Sequence, residues 1–308
     1  MFFHGDISGD RFPHGTLCFT YDDGPAQVSD RDGDPGPRTL ELAEFLATSG
    51  VPATFFVVGK FAREVPEILT RLDRLGHLVG NHTDSHTGLV VFVRRGGDAT
   101  AELAAADRII QERALRPLTF FRAPYGNWRE TVASDVREDR PTSIVAGMLN
   151  QSSLARAHVG PINWDISGHD YDYWHQGRTA EECAGEYAER IERTGRGIVL
   201  LHDSSDNPAI RASNRTFEVT RILVPRLKEQ GFRFVRLDDV PQVRSAAGVS
   251  GRLRTIDSWE STARARCARA PSRWARRSNS ARWSWAMIGS QSGRGTERPC
   301  RSIRIPGS

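Results

Sequence analysis

Two clusters of polar side chains in this 308-residue chain have the types and spacing needed for hydrolytic chemistry. The first is Thr20-Tyr21-Asp22-Asp23-Gly24-Pro25, directly after the apolar Leu17-Cys18-Phe19. Successive side chains on a strand point to opposite faces, so adjacent carboxylates at a strand end stopped by Gly-Pro cannot both be ordinary surface charges. The second is His82-Thr83-Asp84-Ser85-His86, with imidazoles four residues apart. In a helix or a tight turn both rings share one face, at a separation that suits a common metal ion. One Asp and two His make three protein ligands and leave positions for water and substrate, as in a hydrolytic rather than a closed structural site. Taken alone, the first cluster also fits a plain turn and the second a solvated helix face; their conjunction favours the site.

The elements that would position these groups follow from the apolar patterning. Phe120-Phe121 leads into Arg122-Ala123-Pro124-Tyr125-Gly126, a strand end running into a rigid turn. Pro161-Ile162 leads into Trp164-Asp165-Ile166-Ser167-Gly168-His169-Asp170-Tyr171, again at a strand end. Ile198-Val199-Leu200-Leu201 is a continuous apolar run closed by His202-Asp203, as expected of a buried parallel strand. Between such runs, helices are predicted over 38–49, 65–75, 99–113, 180–193 and 216–230, several of them stopped by glycine, with a further strand at 232–235. Strand alternating with helix argues for an α/β unit with a parallel sheet closed or nearly closed on itself, presenting its polar strand ends at one rim.

These residues resemble the polysaccharide deacetylases of carbohydrate esterase family 4, the NodB homology domain. The resemblance covers roughly residues 14 to 240, with five motifs in order and the linking phrase Val51-Pro52-Ala53-Thr54-Phe55-Phe56-Val57-Val58-Gly59. It implies a distorted (β/α) barrel with about seven strands and a metal-dependent hydrolase of N-acetylated sugars such as chitin or peptidoglycan. Carried over by position, Asp22 is the general base, and Asp23, His82 and His86 are the metal ligands. Arg122 orients the base, and Tyr125 offers its backbone N–H to the oxyanion. Asp170 tunes His202, the general acid. Zinc is the default for a His-His-Asp set, while cobalt, nickel or manganese would suit an expanded shell. The chain departs from the family pattern at Tyr21, where Phe is commonest, and at Tyr171, where Trp is frequent. Asp165 competes with Asp170 for the tuning role; Asp170 is preferred because an aromatic follows it.

Trp164, Tyr171 and Trp174 are candidates for stacking on pyranose faces, with core packing as the alternative. The segment from Gln27 to Pro37 reads as a loop over the rim. Removal of O-acetyl groups from xylan-type polymers is an alternative activity, since a hydroxyl leaving group also benefits from His202. A non-catalytic, metal-containing glycan-binding protein would need neither Asp22 nor His202. A phosphoester hydrolase would call for more basic residues at the rim than Arg122.

Composition divides the chain at about residue 244. From Ser245 onward there are 13 Arg, no Lys and three acids (Asp257, Glu260, Glu297), a net of +10 against +4 for the whole chain, so residues 1–244 carry −6. Four of the seven tryptophans also lie there, and no apolar period persists, so 245–308 reads as a disordered basic tail with no assigned function. Its charge leaves nucleic acid as a minor option. Residues 1–244 read as one catalytic domain acting as a monomer. No apolar run of about 20 residues could span a membrane, and the N-terminus lacks the pattern of a signal peptide. The chain as written is expected in the cytoplasm, or secreted if translation starts further upstream. The four cysteines show no CxxC pairing and suggest neither a disulfide framework nor a zinc knuckle.

Overall fold

A computed structural model describes residues 3–27, 35–114, 119–128, 144–240 and residue 243. They fall within one compact unit, Met1–Arg269. The basic tail and most of the expected rim loop, 28–34, lie outside the described residues.

Seven strands follow one another around the unit: β2 (Thr16–Asp22), β3 (Ala53–Val57), β4 (Leu78–Asn81), β5 (Thr119–Phe120), β6 (His158–Ile162), β7 (Ile166–Ser167) and β8 (Gly197–His202). Parallel ladders give the order β4-β3-β2-β8-β7 in one sheet. A parallel bridge between Asn81 and Phe121 hands over to the second sheet, in which β5 pairs with β6. Two further strands flank the ring: β1 (Phe3–Ile7) on β6 and β9 (Arg233–Phe234) on the start of β2. The ring is thus a distorted (β/α) barrel, with seven strands as expected and two additional ones.

All seven residues of β2 are buried, because it has neighbours on both edges and apolar layers on both faces. Its side chains alternate. Leu17, Phe19 and Tyr21 join a core with helices α1 (Thr39–Thr48), α3 (Pro66–Arg74), α9 (Ala180–Thr194) and α11 (Thr216–Glu229), whereas Cys18 joins an inner cluster with Phe56, Phe120 and Ile198. The same period of two sends Thr20 and Asp22 inward. Tyr21 therefore faces away from the rim site. It lies over Phe55 with ring centroids 5.1 Å apart, and its hydroxyl donates to Thr220 Oγ1 at 3.1 Å, since Thr220 itself donates to the Thr216 carbonyl. The hydroxyl introduced at this position has found a partner on α11.

The predicted helices form close to their expected bounds, including α5 (Ala99–Arg113). Helix α9 starts on a reciprocal cap between Thr179 and Glu182 and ends on Gly195 in the left-handed region. Six shorter helices were not legible in the sequence: α2 (Gly59–Glu64), α4 (Leu89–Arg94), α6 (Ile144–Gln151), α7 (Ser153–Arg156), α8 (Asp170–His175) and α10 (Pro208–Ala212). Helix α2 directly precedes α3. None of the described helices is long and apolar enough to cross a membrane.

His77, just before β4, is fully enclosed, with Nε2 on the Ala43 carbonyl at 2.9 Å and its ring against Phe55. Burial pulls its pKa down to about 4, with the positive Arg236 adding to the effect against the Ala43 contact. The unfolded chain therefore binds the extra proton first. The stability contributed by neutral His77 is complete above about pH 6.5 and is lost as pH falls toward 4. Between pH 7 and 4.5, urea unfolding should show the wild type losing roughly 2–3 kcal/mol more than His77→Gln. Equal losses would remove His77 from the acid transition.

Candidate metal centre and active site

Parallel pairing in register brings the polar strand ends to one rim. Asp22 is the register partner of His202 on β8 and of Phe56 on β3, and Val57 is the partner of Asn81, the residue before His82. The chain then turns sharply. Asp23, Thr83, His86 and Tyr125 have φ of 72°, 66°, 61° and 59°, and His169, preceding Asp170, has 54°. These are the non-glycine residues of the described chain in the left-handed region, each costing about 1–3 kcal/mol, and such strain concentrates at functional sites. The 82–86 segment is thus a tight turn and not a helix. Gly24 must remain glycine, because a Cβ there would sit 2.3 Å from Asp203 Oδ2.

Asp23, His82 and His86 are buried, and one ligand atom from each lies within 4.8 Å of the others. His86 Nε2 is 2.9 Å and His82 Nε2 is 3.4 Å from Asp23 Oδ1. The other ring nitrogens are engaged elsewhere. His82 Nδ1 donates to the Arg122 carbonyl at 2.8 Å, and His86 Nδ1 faces Asp206 Oδ2 at 3.2 Å. With each Nδ1 engaged elsewhere, both Nε2 atoms point at the Asp23 carboxylate, whose Oδ1 has no other partner. Once deprotonated, these three converging atoms offer lone pairs that suit a divalent cation, and zinc matches the donor set. Burial works against the Asp23 charge, yet His86 and His82 hold its carboxyl well below the usual range.

Asp22 lies on one side of this trio, with Oδ2 3.6 Å from His82 Nε2. Its Oδ1 accepts from Arg122 Nη1 at 2.7 Å. Arg122 is only 1% exposed, and each nitrogen of its guanidinium has an acceptor. It donates to Thr20 Oγ1 and to the carbonyls of Ile162 and Asn163, and it lies 4.3 Å from the Phe56 ring centroid. Such a fork cannot swing, so the Asp22 carboxylate is held in one orientation.

His202 is the neighbour of Asp22 at this rim. Its Nδ1 is 2.7 Å from Asp170 Oδ1, and its backbone N–H donates to Asp170 Oδ2 at 2.7 Å, where Thr216 Oγ1 also donates. Burial disfavours charge on this ring, but the Asp170 carboxylate outweighs it and lifts the pKa to about 9, with Asp23 and Asp22 contributing less. Asp165, the alternative partner, lies elsewhere: its Oδ2 accepts from the Gly9 and Ile198 backbones and ties β8 to the segment after β1. Asp170 also follows β7 and not β6, because the two-residue strand Ile166–Ser167 intervenes.

A family model for polysaccharide deacetylases matches residues 9–140. A chitooligosaccharide deacetylase of Sinorhizobium fredii is 29% identical over 226 residues, covering 70% of this chain and 87% of that protein. The chain is thus similar to polysaccharide deacetylases over most of its described length. A peptidoglycan-N-acetylglucosamine deacetylase of Bacillus cereus is 26% identical over 226 residues, covering 73% of this chain and 87% of that protein. The solved chitin deacetylase of Colletotrichum lindemuthianum shares the fold, with a TM-score of 0.53 and 23% identity over 75% of this chain and 91% of that one. These relatives are named as deacetylases, and this chain brings all eight candidate catalytic and metal-binding residues to one rim.

The three aromatic candidates separate in the structure. Trp174 is 2% exposed and belongs to the core beneath α8, so it does not line the rim. Trp164 is half-buried, with its ring 5.7 Å from the Arg122 guanidinium. Tyr171 is exposed and meets His202 edge-on at 5.4 Å, and its hydroxyl is 3.1 Å from His169 Nδ1.

Sequence reasoning missed Glu102 and Asp206 and assigned Asp203 only to support of the strand end, yet all three carboxylates shape the site. Glu102 on α5 accepts from the backbone N–H groups of Asp84 and Ser85 and from the Ser85 hydroxyl, holding the histidine turn. Asp203 accepts from Thr39 Oγ1 at 2.5 Å, and burial lifts its pKa to about 7 against that hydrogen bond. Asp206 reaches His86. Only Asp203, directly after a strand-end histidine, carried a signal in the sequence; Glu102 reads as an ordinary acid in the first turn of a helix.

Proposed function

We propose that the chain is a metal-dependent N-deacetylase of oligo- or polysaccharides containing N-acetylglucosamine. The observation that carries this reading is the convergence of the Asp23, His82 and His86 ligand atoms at the rim that also holds a carboxylate clamped by arginine and a histidine held by a carboxylate. The relatives named as chitooligosaccharide and peptidoglycan-N-acetylglucosamine deacetylases support the same substrate class.

Asp23, His82 and His86 would hold zinc, which polarises an acyl oxygen and makes bound water acidic enough to react near neutral pH. Asp22, aimed by Arg122, takes the proton of the attacking water. Negative charge develops on the acyl oxygen, where the Tyr125 backbone N–H would donate; such a donor is worth about 3 kcal/mol. An amine leaves poorly unless protonated. His202 stores that proton, because Asp170 keeps the ring charged beyond neutral pH. Tyr171 and the exposed edge of Trp164 would face the sugar rings.

Acetate release should be assayed on N-acetylglucosamine oligomers, on acetylxylan and on a phosphodiester control. The expected result is release from the oligomers, abolished by a chelator and restored by zinc. Turnover indifferent to the chelator, or confined to acetylxylan, would overturn the proposal.

A further inference from the structure

We infer that Asp206 is a positioning residue that couples the metal ligand His86 to Tyr125, joining three rim loops. The inference rests on the metal-centre reading above and deepens it. Asp206 Oδ2 lies 3.2 Å from His86 Nδ1 and accepts from the Tyr125 hydroxyl at 3.3 Å. The same hydroxyl is 3.3 Å from His86 Nδ1, and the two rings lie 4.7 Å apart. The three residues come from the turn after β4, the turn after β5 and the loop between β8 and α10.

Each partner needs the tie for a separate physical reason. His86 has a left-handed backbone, so its ring direction is not set by a regular element. An acceptor at Nδ1 selects the tautomer whose Nε2 lone pair faces Asp23, orients the ring and raises its basicity as a ligand. Tyr125 is 59% exposed and also left-handed, so packing alone does not fix it. Its hydroxyl bond anchors the residue whose backbone N–H is assigned to the developing oxyanion. Through Asp206, ligand placement and oxyanion-donor placement become one adjustment.

The test uses the full chain with zinc as probe. Zinc affinity is measured by competition with a chromogenic chelator for wild type, Asp206→Ala, Asp206→Asn and Tyr125→Phe, alongside kcat and KM on N-acetylglucosamine oligomers. The Asp206 side chain is 36% exposed and its contacts are long, so Asp206→Ala should weaken zinc affinity by about tenfold, the lower end for such partners. Asp206→Asn keeps an acceptor oxygen and should recover part of that loss. Tyr125→Phe should leave zinc affinity unchanged and lower kcat more than it alters KM. Melting temperatures of the metal-free proteins should match, which separates positioning from a general fold defect. Wild-type zinc affinity in Asp206→Ala would overturn the inference while leaving the proposed function intact. A wild-type protein that binds zinc but releases no acetate would overturn the proposed function alone, and one that binds no zinc would overturn both.

Discussion

Asp22→Asn should lower kcat for acetate release by roughly 10²–10⁴-fold while the protein still binds zinc. The side chain is isosteric, and Asp23, His82 and His86 are untouched, so the ligand atoms keep their spacing. What disappears is the basicity of an oxygen lying beside the ligand trio. Arg122 makes the experiment more demanding. Its guanidinium is 1% exposed and pairs with Asp22 at 2.7 Å, so neutralising the carboxylate leaves a buried charge without its counter-ion. That should cost up to about 3–5 kcal/mol, softened by the acceptors at Thr20, Ile162 and Asn163. Activity and metal content must therefore be read well below the variant's melting temperature, which is itself expected to fall. Normal turnover in a folded, zinc-loaded Asp22→Asn protein would remove Asp22 from the reaction.

His202→Gln should produce a loss of comparable size on an amide substrate, and it comes with a pH signature through Asp170. In the wild type the ring pKa is lifted to about 9, because the Asp170 carboxylate outweighs the burial that opposes charge. The proton needed by the leaving amine is thus already on the ring at neutral pH, and activity should decline only as pH rises toward that value. Asp170→Asn removes the main raising influence and leaves burial in place, so the basic limb of the kcat profile should move to lower pH. Asn at 170 can still accept from the His202 backbone and from Thr216, which preserves the local geometry. An unchanged profile in Asp170→Asn, together with wild-type amide turnover in His202→Gln, would rule out the general-acid role.

Strand ends were readable because burial imposes a simple pattern. β2 and β8 have neighbours on both edges and apolar layers on both faces, so Leu17-Cys18-Phe19 and Ile198-Val199-Leu200-Leu201 are continuous apolar runs, each stopped by groups that cannot be buried unpaired. The long helices were legible for the same reason: their apolar faces repeat over several turns and glycine marks their ends. Helices of four to eight residues, such as α7 and α6, span too few turns for a period to register.

Residue types and their order along the chain already determined which side chains could form a hydrolytic centre, from Asp22 and Asp23 to His202, because carboxylates and imidazoles at the ends of apolar runs have few other uses. Only the tertiary structure decided how they meet. On an uninterrupted strand, Asp22 and Asp23 would point to opposite faces, yet a left-handed turn at Asp23 brings both within reach of one His82 nitrogen. Asp170 over Asp165, Trp174 in the core, and Glu102 and Asp206 behind the histidine turn were decided in the same way. Those choices depend on distances between residues far apart in the chain and on backbone angles held against local preference, and neither quantity is written in local sequence.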